Sequence, residues 1–314
     1  IEDNRLQAFK GSLDDYQDYL LAQDPSDNLA KKIAKAKAPA AEDTFKQATK
    51  LRHEITQADR AISKLNSQLE KLNLRLEAAN SANEVNQLLE MVAVGFPKMR
   101  IRFSTSNPQD MHESVLHVIA KHPNICKHIH LPVQSGSNRI LKEMNRLHTR
   151  EEYMTLIDKI RTIIPNCSIS QDMISGFPTE TEEDHQDTLS LMEYVKYNFG
   201  YMYSYSERPG TLAGRKMEDD VTDETKARRL QEIVDLQQKH AWFRSEEFIG
   251  QTVEVLVEKV SKKSTEEFSG RNSQSITVVF PKENYKIGDF VNVKIESCTS
   301  GTLKGKAVGL SEMN

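Results

Sequence analysis

The residues able to do chemistry in this chain gather in short polar turns that follow apolar, strand-like runs. The fullest such turn is Gln134, Ser135, Gly136 and Ser137, reached through His130, Leu131, Pro132 and Val133. A strand from Ile125 to Val133 is expected to end there, and a helix with Ile140, Leu141 and Met144 on one face to begin. Such a junction offers backbone N–H groups and hydroxyls to a ligand at the carboxyl end of a strand. Ser104, Thr105 and Ser106 close an earlier strand pattern, Asp172 lies in a later one, and Ser206 and Arg208 follow another. One polar turn is an ordinary βα loop; several at the same strand ends line one pocket. The chemistry they offer is hydrogen-bonded binding. No Ser/His/Asp order is readable, and no G-x-x-x-x-G-K-[ST] phosphate loop occurs anywhere. His128 and His130 share a strand face, but no third metal ligand accompanies them.

The elements that position these turns alternate. A helix pattern over 85–94 precedes a strand pattern over 100–105, and a helix over 111–121 precedes the central strand. A helix from Arg150 to Ile163 follows, then a strand from Ser168 to Ile174. Thr181, Glu182, Glu183 and Asp184 cap a further helix, where acids in the first turn suit the dipole. A last strand runs Tyr201 to Tyr205. Strand, helix, strand, helix predicts a parallel sheet with crossover helices, about four units or half of an eight-unit barrel.

Upstream the chain differs in character. Residues 1–43 read as a short helical segment and a charged linker. Over 44–80, Leu51, Ile55, Ala58, Ile62, Leu65, Leu69, Leu72 and Leu76 hold an a/d heptad register that predicts a coiled coil. The net charge of −4 excludes a global basic field, so any nucleic-acid site must be local. No apolar run of transmembrane length and no signal-peptide pattern is present, which predicts a cytoplasmic protein without a membrane partner. The three cysteines, Cys126, Cys167 and Cys298, are too far apart for a disulfide framework or a C-x-x-C metal site.

Downstream, Thr222 to Ser245 is a long helix pattern, with Leu230, Ile233, Leu236 and Gln237 on one side. Lys226, Arg228, Arg229 and Lys239 form an expected solvated basic face on the other. From residue 250, alternating runs at 252–257, 276–280 and 290–295 punctuated by Gly270, Gly288, Gly301 and Gly305 predict a small β-barrel. Lys262, Lys263, Arg271 and Lys304, together with Lys259 and Lys306, give that segment a local set of cations able to meet phosphates.

Two resemblances cover the chain. Phe9, Lys10, Gly11, Ser12, Leu13, Asp14, Asp15 and Tyr16, with the linker and coil behind them, resemble the tail of an ABC-F ATPase. That likeness implies a segment that binds ribosomal RNA or a partner helix through the coil. From about residue 85 to 310 the chain resembles the later part of a MiaB-type tRNA methylthiotransferase, a radical S-adenosylmethionine (SAM) enzyme. The matching phrases are Arg102 to Ser106, His128 to Ser137, Met144 to Arg146 with Thr149 and Arg150, Gly176 to Pro178 with Glu180 to Glu182, and Ser206 to Thr211. Residues 248–314, through Gly270, Arg271, Asn272 and Thr302 to Gly305, resemble a TRAM RNA-binding barrel.

This likeness implies an α/β fold: a partial radical-SAM-type parallel barrel over 84–247, followed by a small all-β TRAM barrel and preceded by the coiled coil. It implies SAM and tRNA as ligands, with Gln134, Ser135, Ser137, Asp172 and Arg208 as cofactor contacts. It also implies a 4Fe-4S cluster, but the family's C-x-x-x-C-x-x-C ligands are absent, so the chain alone is expected to be inactive. Two smaller departures are Asn107 where the family commonly has His and Thr179 where it commonly has Gly. Two further readings stand beside this one: a non-catalytic RNA- or ribosome-binding protein, and a chimeric chain with an ABC-F-like tail.

Overall fold

The computed structural model describes residues 82–104, 107–208 and 210–312, with a few isolated positions between 56 and 63. The expected coiled coil and the ABC-F-like segment lie outside these stretches. The stretches belong to one compact unit, Arg75–Asn314. It opens with helix α1 (Ala82–Gly95), a single 3-10 turn (Pro108–Asp110) and α2 (Glu113–Lys121). Then come β1 (His128–His130), α3 (Asn138–Glu143), α4 (Arg150–Ile163), β2 (Ser168–Ser175), α5 (Glu182–Val195), β3 (Phe199–Ser204), α6 (Leu212–Lys216) and α7 (Asp223–Glu246).

The helices begin where their caps dictate. Thr149 and Thr181 each accept from a backbone N–H three residues on, and Glu152 and Asp184 reach back to complete capping boxes. Thr222 caps α7 by accepting from the Thr225 N–H. β1, β2 and β3 form a parallel sheet in that order. Because side chains alternate, one face carries Ile129, Ile169, Met173 and Met202. That face meets Val115, Leu116 and Ile119 of α2, Tyr153, Ile157 and Ile160 of α4, Leu191 and Met192 of α5, and Ile233 of α7 in one core. Each fully buried Ile or Leu contributes about 1.5–3 kcal/mol. The opposite face carries His128, His130, Ser170, Asp172, Phe199, Tyr201 and Tyr203, and it is half-open.

Several expectations are corrected. The central strand is shorter than 125–133: its regular ladder ends after the Leu131 N–H, which donates to the Ser170 carbonyl at 2.7 Å, and the next bond to β2 comes from the Gln134 N–H rather than that of Val133. Pairing resumes only as an isolated bridge from Gln134 to Met173. Among its described residues the run over 100–105 contributes one bridge, Ile101 to Ile125, and its Arg100 and Arg102 side chains pair with Glu254 and Glu258 of the second domain. The described residues therefore form three parallel strands where about four were expected. The long helix has no uniform basic face. Lys226 and Arg229 are buried, paired with Asp219 and with Glu180.

The second domain is a closed barrel of β4 (Thr252–Val260), β5 (Glu267–Asn272), β6 (Thr277–Pro281), β7 (Phe290–Thr299) and β8 (Thr302–Leu310), in the order β4-β5-β6-β8-β7. β5 and β8 were not expected, because Gly270 and Gly305 read as punctuation. Both lie inside strands, where a Cβ would collide with the Leu256 and Lys294 carbonyls of the neighbouring strand. Val255, Val257, Val278, Phe280, Val291, Val293 and Leu303 fill the interior. The β5–β6 turn docks on the first domain: the Lys127 N–H donates to the Ser273 carbonyl at 2.8 Å, and Ser168 Oγ donates to the Gln274 carbonyl at 2.6 Å.

Candidate functional site

At the carboxyl ends of β1, β2 and β3 lies a cleft of about 650 Å³. Residues distant in sequence meet there: Gln134, Met144 to Arg146, Asp172, Phe177, Tyr203 to Ser206, Arg208 and Thr211. Gln134 and Asn145 both adopt the left-handed conformation, with φ of 73° and 55°. Asn tolerates that region; Gln does so only when its surroundings hold it. Here the Gln134 N–H donates to the Asp172 carbonyl and its carbonyl accepts from the Ile174 N–H, both at 2.9 Å.

Of the five expected cofactor contacts, the fold brings Gln134, Asp172 and Arg208 to the cleft. Ser135 and Ser137 are fully buried and do not line it. Ser135 Oγ accepts from the Ser137 N–H at 3.2 Å. Ser137 caps α3 and donates to Asp184 Oδ1 at 2.6 Å, while the Gly136 N–H donates to Thr188 Oγ1 at 2.9 Å. These residues fasten the turn to α5, so that Gln134 is aimed at the cleft. Asp184 also receives Arg139 and the Thr181 cap. Burial would raise its pKa, but hydrogen bonds from Arg139, Ser137 and Thr181 hold it well below the usual carboxylate range.

Met144, Asn145, Arg146, Tyr203 and Tyr205 carried no expectation of a site, yet all five line this cleft. The Met144 to Arg146 phrase closes α3: Asn145 takes a positive φ, and the Met144, Asn145 and Arg146 N–H groups donate to the Ile140, Lys142 and Leu141 carbonyls at 2.8, 3.0 and 2.8 Å. The turn after β2 is held by a buried ion pair: Arg229 Nη1 lies 3.0 Å from Glu180 Oε2, which also accepts from the Gly176 N–H at 2.8 Å. Burial pushes the Glu180 carboxyl up, against the pull of that N–H and of Arg229. Thr179 sits at φ 69°, the left-handed region in which a glycine is at ease.

A second cleft of about 650 Å³ runs between the open sheet face and the barrel, lined by Arg102, His128, His130, Phe199, Tyr201 and Arg271 among others. Arg271 and Lys304 lie on the outer face of strands flanking β6. Lys262 and Lys263 are exposed in the turn joining β4 to β5, at the other end of β5 from Arg271.

The cysteines do not form a cluster site. Cys126 is buried just before β1 and Cys167 lies just before β2, both at the strand ends opposite the first cleft, and Cys298 is in β7. Burial pushes the Cys167 thiol up to about 12, which disfavours the thiolate that iron requires. The one metal-like trio among the described residues, Glu182, His185 and Glu232, has its carboxylates occupied by Arg228 and Arg229. Among the described residues, no helix is long and apolar enough to cross a membrane.

Residues 246–308 match the TRAM domain, and residues 44–192 match the Radical SAM superfamily. The second match begins within the stretch expected to be a coil. The chain is 90% identical over 234 residues to tRNA-2-methylthio-N(6)-dimethylallyladenosine synthase of Flavobacterium psychrophilum, covering 74% of this chain and 49% of that protein. It is 59% identical over 220 residues to the synthase of the same name from Karelsulcia muelleri, covering 70% of this chain and 49% of the relative. Among solved structures, coproporphyrinogen III oxidase (HemN) from Escherichia coli aligns with TM-score 0.41 and 15% identity, over 68% of this chain and 51% of that one. The chain thus spans about half the length of the curated relatives it matches. It carries radical SAM and TRAM domains, and its C-terminal part is homologous to the tRNA-2-methylthio-N(6)-dimethylallyladenosine synthases.

Proposed function

We propose that this chain supplies the SAM- and tRNA-binding portion of a tRNA methylthiotransferase acting on N6-isopentenyladenosine. The observation that carries the reading is the convergence of Gln134, Met144 to Arg146, Asp172 and Ser206 to Thr211 on one cleft at the strand ends. The groups present suit SAM. Arg146 and Arg208 offer cations to its carboxylate, Asp172 an acceptor to its amino group, and Phe177, Tyr203 and Tyr205 aromatic faces to adenine. Arg271, Lys304, Lys262 and Lys263 are the proposed phosphate contacts on the barrel. The 4Fe-4S cluster that cleaves SAM in the superfamily finds no thiolate set in this chain. By itself the chain therefore binds and does not turn over.

The test is salt-dependent binding of tRNA, with SAM binding measured in parallel by calorimetry. In the Arg271→Ala/Lys304→Ala double variant, the slope of log affinity against log salt should fall by about 2. An unchanged slope counts against the barrel assignment, and SAM binding unchanged in Asp172→Ala and Arg208→Ala counts against the cleft. A non-catalytic RNA-binding protein is the second reading, favoured by the same absent thiolates; it predicts tRNA binding with no SAM binding.

A further inference from the structure

The parallel sheet of β1, β2 and β3 meets helices on one face, and its other face is half-open. Parallel sheets are ordinarily covered on both faces, so this one has a surface left for a partner. Along β3, Phe199, Tyr201 and Tyr203 alternate onto the open face. Tyr201 and Tyr203 are 55% and 52% exposed. Tyr201 lines the cleft between the sheet and the barrel, and Tyr203 lines the strand-end cleft. Two residues along a strand span about 6.6 Å, so the two clefts are neighbours on one row of rings.

The chemistry of the cleft between sheet and barrel selects its occupant. Its ring surface comes from Tyr201, from His130 edge-on to it at 6.1 Å, and from Phe199 stacked on His128 at 4.9 Å. On the barrel side stand two guanidinium groups. Arg102 is paired with Glu258 at 2.6 Å, whereas Arg271 lies 3.9 Å from the same carboxylate and is 48% exposed. Arg271 is the more loosely held and the one able to turn to a phosphate. The Asn198 amide and the Ser275 and Thr277 hydroxyls add donors and acceptors for a base edge or a ribose 2′-hydroxyl. Rings for a base, a cation for a phosphate and small polar groups for the edges are the set that holds single-stranded RNA. A second copy of the chain fits less well, because a two-fold contact needs a self-complementary patch and this is a concave cleft of about 650 Å³.

We propose that this cleft is a subsite for one unpaired ribonucleotide, its base stacked on Tyr201 and its phosphate met by Arg271. The next nucleotide along the strand then reaches the strand-end cleft beside Tyr203. Stacked nucleotides in one strand lie about 3.4 Å apart, and the rings of β3 step by about twice that. The two bases are therefore drawn out of their mutual stack, and each meets its own wall. The inference rests on the RNA reading given under Proposed function and adds to it the nucleotide held next to the reacting one.

The test is fluorescence-anisotropy binding of tRNA and of a short single-stranded RNA to the full chain, across a salt series. Tyr201→Leu should weaken both about tenfold at an unchanged salt slope, since a lost stack releases no counterions. Tyr201→Phe keeps the ring and should bind as wild type does. Arg271→Ala should lower the slope by about 1. Because Tyr201 is more than half exposed, both Tyr201 variants should keep the wild-type melting temperature. A 5-iodouridine in the short RNA should crosslink to Tyr201 on irradiation, as mapped by mass spectrometry. If Tyr201→Leu binds RNA normally while Arg271→Ala/Lys304→Ala still lowers the slope, the subsite is overturned and the barrel assignment stands. Absence of all RNA binding removes both. Tyr201-dependent RNA binding without SAM binding upholds the subsite and removes the SAM reading of the strand-end cleft instead. A dimer seen by sedimentation without RNA, and abolished by Tyr201→Leu, would give this face to a second copy and overturn the proposal.

Discussion

Replacing Asp184 with Asn tests how the Gln134 turn is held. The Asp184 side chain is 8% exposed and lies where three structures join: the α5 cap, the Ser137 cap of α3, and Arg139. Asn keeps the shape but loses the charge and turns one acceptor into a donor facing the Thr181 N–H, normally bonded at 2.8 Å. The lost cap contributes about 1 kcal/mol. The charge-assisted bond from buried Ser137 adds about 1.5–2 kcal/mol. Arg139 is 44% exposed, so after screening it adds no more than about 0.5 kcal/mol. The total is about 3 kcal/mol, or a Tm lower by roughly 6–12 °C for a unit of this size.

The pH dependence has a definite sign. Asp184 has its folded pKa depressed, so its contribution is fully present above the unfolded value, about 3.9, and is lost as pH falls through the folded value. Urea unfolding followed by circular dichroism should show a wild-type minus variant gap that is flat from about pH 5 to 7 and narrows below about pH 4. A gap under about 1 kcal/mol at pH 7, or one that widens on acidification, would refute this account of the turn.

Three further outcomes are expected. Arg229→Met strands Glu180, 2% exposed, as a buried charge, and should cost about 3–5 kcal/mol in urea unfolding; adding Glu180→Leu should restore much of that, and additive losses would contradict it. Thr179→Gly relieves a β-branched residue at φ 69° at the expense of the Arg139 to Thr179 Oγ1 bond, so stability should hold or rise by about 0.5 kcal/mol; a loss beyond about 1 kcal/mol would mean the hydroxyl matters more than the backbone. Cys167, with its thiol pushed up to about 12 by burial, should react with iodoacetamide at pH 8 about a thousandfold more slowly than an unfolded-state cysteine, as read by mass spectrometry; equal rates would show an open site.

Much of this architecture was readable from local signals. Thr149 with Glu152 and Thr181 with Asp184 state their helix starts in four residues, and the alternation of α4, β2, α5 and β3 states a parallel sheet. Caps and alternation involve neighbours along the chain, so the sequence by itself determines them. The polar turns were likewise placed at one sheet edge, and Gln134, Asp172 and Arg208 do meet there.

What lay beyond the sequence depends on contacts between distant residues. Ser135 and Ser137 read as ligand contacts because hydroxyls in a turn look alike; only the packing of α5 gives them Thr188 and Asp184 as partners. Lys226 and Arg229 read as solvated charges until Asp219 and Glu180 meet them in the fold. β5 and β8 were hidden because a glycine that admits a neighbouring strand is indistinguishable in sequence from one that ends a strand. His128 and His130, like Ser168 and Ser170, are spaced by two in their strands, visible as a pattern, but the sheet register alone sets His128 against Ser168 and His130 against Ser170. Sequence chose the chemical groups, and long-range packing decided which of them face a ligand and which hold the others in place.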